Sequence, residues 1–142
     1  MLSCVVVLSA LLGCSGDGTA SSFCTTVRAG ENPLDVFDRY DPSDVERAHD
    51  TLEMGVIRLK QLEAAAPKDV RPSLKTLTAV AQELITTLDA RAANPSSATT
   101  PDFASQFQEV ATASATVTQF AAERCGVQLD PTATTVPPTP TS

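Results

Sequence analysis

The chain reads as an all-α protein, a small helical bundle of three long helices plus a short N-terminal helix, closed by a disulfide. Three observations predict this. Hydrophobic residues make up 42% of the 142 positions but aromatics only 4%, with no Trp, so the core has to be assembled from Leu, Val and Ala with a few Phe as the large pieces. Apolar residues recur over long stretches in alternating three- and four-residue steps, the spacing of one helical face. Two cysteines, Cys24 and Cys125, frame the region in which that spacing occurs.

Ahead of that region, residues 4–12 (Cys-Val-Val-Val-Leu-Ser-Ala-Leu-Leu) form an apolar run too short to span a bilayer but long enough for the h-region of a signal peptide. It ends in Leu11-Leu12-Gly13-Cys14, which resembles the lipobox of bacterial lipoproteins. There a small residue before the cysteine admits the signal peptidase, and the thiol becomes the thioether of a diacylglyceryl group. Cys14 is therefore the expected lipid-attachment residue, and residues 1–13 the expected signal peptide. Met1-Leu2-Ser3 carries no Lys or Arg where an export leader has a positive n-region, which puts Met1 in question as the true start. The competing reading is a buried N-terminal strand with a chance Leu-Leu-Gly-Cys. The adjoining segment argues against it: residues 14–22 are polar and small, a flexible tether reaching on the order of 15 Å as a random coil.

Cysteine parity points the same way. Cleavage discards Cys4 and acylation consumes Cys14, leaving Cys24 and Cys125 as a pair that an exported chain would oxidise. The alternatives are two unpaired core thiols, if the chain stays in the cytosol, or a zinc site, for which neither cysteine has a nearby Cys or His companion. A bridge would close a loop of about 100 residues, for which chain entropy gives up to ~4.7 kcal/mol.

The bundle is expected over residues 23–129. A short helix around Ser22 to Arg28 carries Cys24 toward Cys125. Asn32-Pro33 and Asp41-Pro42 each set a capping side chain before a proline suited to the first helical position, with Asp35 and Asp44 at the third, near the positive end of the helix dipole. From Asp41, the stripe Val45, Ala48, Leu52, Leu59, Leu62 and Ala66, supplemented by Val56, predicts one helix of about 24 residues ending near Pro67. A second starts after Asp69, since an earlier start would place Pro72 where an N–H is needed, and buries Val70, Leu74, Leu77, Ala81, Leu84 and Leu88. Asn94-Pro95-Ser96-Ser97-Ala98 is a loop. Thr100-Pro101 caps a third helix with Phe103, Phe107, Val110, Ser114, Val117 and Ala121 on one face and Gly126 at its end. Residues 130–142 hold four Pro and five Thr and almost nothing to bury, which predicts a disordered tail, of a composition that also suits a glycosylated stalk.

The lipobox, the polar tether, Phe23-Cys24, a long helix ending in Leu62-Glu63-Ala64-Ala65-Ala66-Pro67 and a final Phe120-Ala121-Ala122-Glu123-Arg124-Cys125-Gly126-Val127 together resemble the small helical lipoproteins of actinobacteria over most of residues 11 to 127. That resemblance implies an envelope location and a bundle fold, and assigns no catalytic residue.

Net charge is −7, and the eight acids between Glu31 and Glu53 against Arg39 and Arg47 supply −6 of it. Such a balance disfavours nucleic acid and any polybasic grip on anionic lipid. Candidate chemistry is sparse. His49, the only histidine, has Glu46 and Glu53 within one helical turn, so the three could approach one ion; with no second His and no usable free Cys, a solvated helix face is the favoured reading. Asp35, Asp38, Asp41 and Asp44 recur every three residues, but capping accounts for two of them, and an EF-hand's Gly and Glu are absent in register. No phosphate loop, dinucleotide fingerprint or nucleophile elbow occurs, and no metal or cofactor is expected.

These readings predict a non-enzymatic lipoprotein on the extracytoplasmic face of the cell membrane, held by Cys14 and presenting its bundle to another envelope protein. The alternative is a module holding a small apolar or lipid ligand between its helices, suggested by the small residues Ala48, Gly55 and Ala81. A third is a hydrolase using acids of the 31–53 region.

Overall fold

Thr19 opens the first helix, its Oγ1 accepting the Ser22 N–H at 3.1 Å, as an N-cap side chain does. In the computed structural model, which describes residues 19–41, 43–96 and 103–129 with side chains of the last helix from Gln106 onward, this helix, α1, spans Ala20–Arg28. It thus includes the last three residues expected in the tether. Phe23, Cys24 and Val27 are its buried face. The predicted signal peptide, Cys14, the loop after Ser96 with Thr100-Pro101, and residues 130–142 lie outside the described residues.

The expected helix start at Asn32 is shifted: Asn32 opens a turn at Pro33-Leu34, and Asp35, expected at the third helical position, is the first residue of the helix. Asn32 Oδ1 accepts the Leu34 N–H at 3.0 Å and the Asn32 carbonyl the Asp35 N–H at 3.3 Å. The next helix, α2 (Asp35–Asp38), lasts one turn, because the chain must become extended before Asp41-Pro42.

The expected start of the first long helix at Asp41 is corrected. Asp41 spends its carboxylate on Ser43, accepting the backbone N–H at 2.9 Å and the hydroxyl at 2.6 Å. Asp44, predicted inside the first turn, is itself the N-cap, accepting the Arg47 N–H at 3.2 Å. The helix, α3, accordingly spans Val45–Ala65, 21 residues rather than about 24. Its stripe is as read: Ala48, Leu52, Val56, Leu59 and Leu62 are buried and Val45 packs against them. Ala66 leaves the helix in an extended conformation, as a residue before proline should, and its carbonyl accepts Arg71 Nε at 3.1 Å and Nη2 at 2.6 Å.

Helix α4 spans Arg71–Ala93 with Pro72 in its first turn, where the missing N–H costs nothing, and buries Leu74, Leu77, Ala81, Leu84 and Leu88. Helix α5 spans Phe103–Phe120 and continues into one π-helical turn, Ala121–Cys125. Val117, Ala121 and Cys125 are four apart, and steps of four drift off an α-helical face by about 40° each. The wider i→i+5 turn offsets that drift and keeps Cys125 on the buried side. Gly126, at φ 64°, then turns the chain back. Its N–H donates to Ala122 O at 3.1 Å and the Val127 N–H to Ala121 O at 3.2 Å. A side chain there would be forced into the left-handed region, which glycine enters freely.

The three long helices pack in sequence, α4 between α3 and α5, while α1 lies against α3 and the π turn and α2 against α3. Leu52, Leu59, Leu62, Leu74, Leu77 and Leu88 are fully buried in the centre, and each would cost about 2–5 kcal/mol to truncate to Ala. The described residues contain helices and no strand, and none of these helices is long and apolar enough to cross a membrane.

Candidate functional site

Cys24 and Cys125, the pair singled out by parity, are brought together: the sulfurs lie 2.00 Å apart as a disulfide joining α1 to the π turn. Phe23 meets Phe120 edge-on beside it, ring centroids 5.4 Å apart, and Arg28 Nη2 donates to the Cys125 carbonyl. This corner is a closure, with its polar atoms turned to structural partners.

The polar candidates are placed differently from expectation. His49 faces Glu53 on its own helix (4.0 Å) and Asp89 of α4 (3.2 Å), and Asp50 completes a cluster with His49 and Glu53. Glu46, the expected second companion, forms no ion pair with it among the described residues. Asp89 was invisible to local spacing because it comes from another helix. The four acids spaced by three do not converge. Asp35 pairs with Arg39 at 2.8 Å, Asp41 holds Ser43, and Asp44 caps α3 and pairs with Arg47 at 3.4 Å. Asp38, on the same turn as Asp35, lines a cleft. The Asp41 carboxyl titrates below the usual carboxylate range because the Ser43 hydroxyl and then its N–H hold the anion, with a smaller contribution from Arg47.

A wide cleft opens beside Asp38. Because α2 packs on α3 and α5 packs on α4, the seam between α2 and α5 stays open over about 600 Å3. Leu34 and Phe37 form one wall; Val110, Ala111, Ser114 and Thr118 of α5 form the other, where small side chains leave the room. At one end lie Asn32 and Leu129, joined by a hydrogen bond from Asn32 Nδ2 to the Leu129 carbonyl. At the other end Phe37, Tyr40 and Phe107 gather over Val80 and Leu84 of α4 around a crevice of about 20 Å3.

Two observations bear on this end. Phe107 is 62% exposed, although its spacing predicts a place on the buried face. Tyr40 Oη and Gln106 Oε1, which border the same crevice, are buried with no hydrogen-bond partner. Buried polar atoms left unpaired ordinarily cost about 1–3 kcal/mol each, so such pairs mark places where a partner is missing. Burial raises the Tyr40 pKa above its ordinary value, and the charge of Arg91 pulls it partly back. The phenol is therefore a hydrogen-bond donor at neutral pH.

The sequence carried a signal for this arrangement. At about 100° per residue, Gln106 lies within about 20° of the direction of Val117 and Phe107 about 80° from it. The apolar residue is the one turned away and the polar one is turned in. Tyr40 had no comparable signal, since its burial depends on packing across the bundle.

The small residues that suggested an internal cavity do not leave one at the closest of them. Gly55 receives Val36 of α2, and a Cβ there would stand 2.5 Å from Val36 Cγ2. Ala48 and Ala81 are likewise closed over, at 2% and 0% exposure.

Compared with known protein families, curated proteins and solved structures, the chain matches none.

Proposed function

We propose that this protein is a lipid-anchored component of the extracytoplasmic face of the cell membrane, held through Cys14, and that its bundle is a non-enzymatic docking module that engages another envelope protein through the α2/α5 cleft. The observation that carries the docking role is the combination at the cleft's end: an exposed Phe107 beside two buried polar atoms without partners. An aromatic anchor with a few hydrogen-bonding groups at its foot is the usual composition of a binding hot spot. In the crevice at the Phe107 end the polar groups are a phenol and a carboxamide, suited to hydrogen bonding.

The location rests on the leader, the Leu-Leu-Gly-Cys motif and the Cys24–Cys125 bridge, which suits an oxidising compartment. Intact mass of the membrane-extracted protein tests it: cleavage before Cys14 with an added diacylglyceryl group is expected, and an unmodified Cys14 would refute it. For the docking role, immobilised protein should retain an envelope partner that is lost with Phe107→Asp and kept with Met54→Ser, a change to an exposed apolar residue away from the cleft. Equal recovery by both variants would sink it.

The same cleft favours one further reading, a small apolar ligand, because about 600 Å3 falls within the ordinary size of such sites. Native mass spectrometry distinguishes the two, since a ligand would appear as an added mass removed by Phe107→Asp.

A further inference from the structure

We propose that His49, Asp50 and Glu53 of α3 form a zinc site, with Nδ1 of His49 and the two carboxylates as ligands and Asp89 of α4 holding the other ring nitrogen. The site is separate from the α2/α5 cleft and does not rest on the docking reading. Local spacing offers Glu46 and Glu53 beside His49 and predicts no metal. The fold exchanges Glu46 for Asp50 and brings in Asp89 from the neighbouring helix.

Geometry is the first argument. Glu53 is four residues from His49 and three from Asp50, so the three side chains share one face of α3. One ligand atom from each lies within 4.8 Å of the others, and His49 Nδ1 is 4.0 Å from Glu53 Oε2. Around a tetrahedral zinc with bonds of about 2.0–2.2 Å, ligand atoms stand about 3.4 Å apart. Rotation of the exposed Asp50 and Glu53 side chains closes that difference while the helix stays fixed. Beside them a hollow of about 340 Å3, lined in part by His49, Asp50 and Asp89, admits water to the open position of the ion.

The orientation of the ring is the second. Nε2 of His49 lies 3.2 Å from Asp89 Oδ1, across the α3/α4 seam. In the neutral ring that carboxylate accepts the Nε2–H, so Nδ1 keeps its lone pair and presents it on the Glu53 side. A ligating imidazole whose other N–H is held by a carboxylate is the arrangement that fixes zinc histidines. Solvation of a helix face calls for no such brace from a second helix. Charge is the third argument. Asp35 and Asp44 are paired with arginines, whereas Asp50, Glu53 and Asp89 have no Lys or Arg partner among the described residues. A dication relieves the repulsion among those carboxylates, and the nitrogen ligand selects zinc over magnesium and calcium, which take oxygen.

The test uses a property of the sequence: His49 is the only histidine, so imidazole nitrogen resonances report on this site alone, even where the thiols of Cys4 and Cys14 also take zinc. Zinc chloride is titrated into the metal-stripped full chain at about pH 8, above the titration range of an ordinary imidazole, and followed by nitrogen-15 NMR. Before zinc is added, the ring should carry its proton on Nε2. Zinc should then shift the Nδ1 resonance and leave Nε2 protonated, while magnesium chloride at about tenfold higher concentration leaves both unmoved. Asp89→Ala should weaken zinc binding at His49 about 10–100-fold and, without metal, let the proton populate Nδ1 as well, a change that a merely structural role for Asp89 would not produce. Glu53→Gln should weaken zinc binding at the same ring about tenfold or more, with an unaltered helical circular dichroism spectrum. A His49 ring that ignores zinc overturns the inference. So does an equal response to magnesium, which would make this an acidic surface only, and so does zinc on Nε2, which would turn Asp89 from brace into ligand.

Discussion

The phenol oxygen of Tyr40 is buried without a partner, and its pKa lies above the ordinary 10.0, chiefly through burial and against the pull of Arg91. A raised folded-state pKa means that the fold prefers the protonated phenol. That preference is intact below the unfolded value and is lost as pH rises through the folded one. An absorbance titration of the single Tyr should therefore show a midpoint higher in the folded chain than in denaturant, and Arg91→Gln should move it higher still. A folded midpoint at or below the denatured one would contradict the assignment. Single residues also show where sequence reasoning stops. Asp41 and Asp44 are equally good capping residues on paper, and the choice between them depends on Ser43, whose N–H and hydroxyl both turn to Asp41 and leave Asp44 to start the helix.

At the scale of elements, periodicity identified the long helices and most of their buried faces, because a stripe of Leu at helical spacing has one way to leave water. Periodicity does not contain how one element sits on another. Gly55, whose small size suggested room for a ligand, is instead the seat of α2: a Cβ there would meet Val36 Cγ2 at 2.5 Å and Val36 Cβ at 2.7 Å. Gly55→Ala gains about 1 kcal/mol of helix propensity, but crowding a packed contact costs about 1–3 kcal/mol. The second effect should win here, because Val36 Cβ is fixed to the backbone and α2 must move as a unit. Denaturant unfolding is expected to show a net loss of about 1 kcal/mol, recovered when Val36→Ala is added. A stabilised single variant would mean that α2 does not press on α3 as described. The α2/α5 cleft was unreadable for the same reason, since it exists only because these two elements lean on different neighbours.

The molecule as a whole is held by contacts of very different reach. The α3, α4 and α5 stripes join helices that follow one another in the chain, whereas α1 is held to the far end of the sequence by Cys24–Cys125, a separation of 101 residues. Around that bridge stand the Phe23–Phe120 contact, Arg28 on the Cys125 carbonyl, and Arg58 Nη2 on the Thr26 carbonyl. A loop of this length contributes up to ~4.7 kcal/mol by restricting the unfolded chain, against a net stability of about 5–15 kcal/mol for ordinary domains. The double variant Cys24→Ser, Cys125→Ser should therefore keep most of its helical circular dichroism, because α3 to α5 bury their faces on one another, but lose about 2–5 kcal/mol in denaturant unfolding. Hydrogen exchange should quicken first in α1, which packs mainly on α3 and the π turn. Uniform acceleration across α3, α4 and α5 with α1 still protected would show that the N-terminal helix is held by its buried Phe23 face alone. Because the π turn and Leu129 share one end of the molecule, the same loss should loosen the Asn32–Leu129 end of the cleft. The effect would be seen as faster exchange at Leu34, whose N–H is held by Asn32.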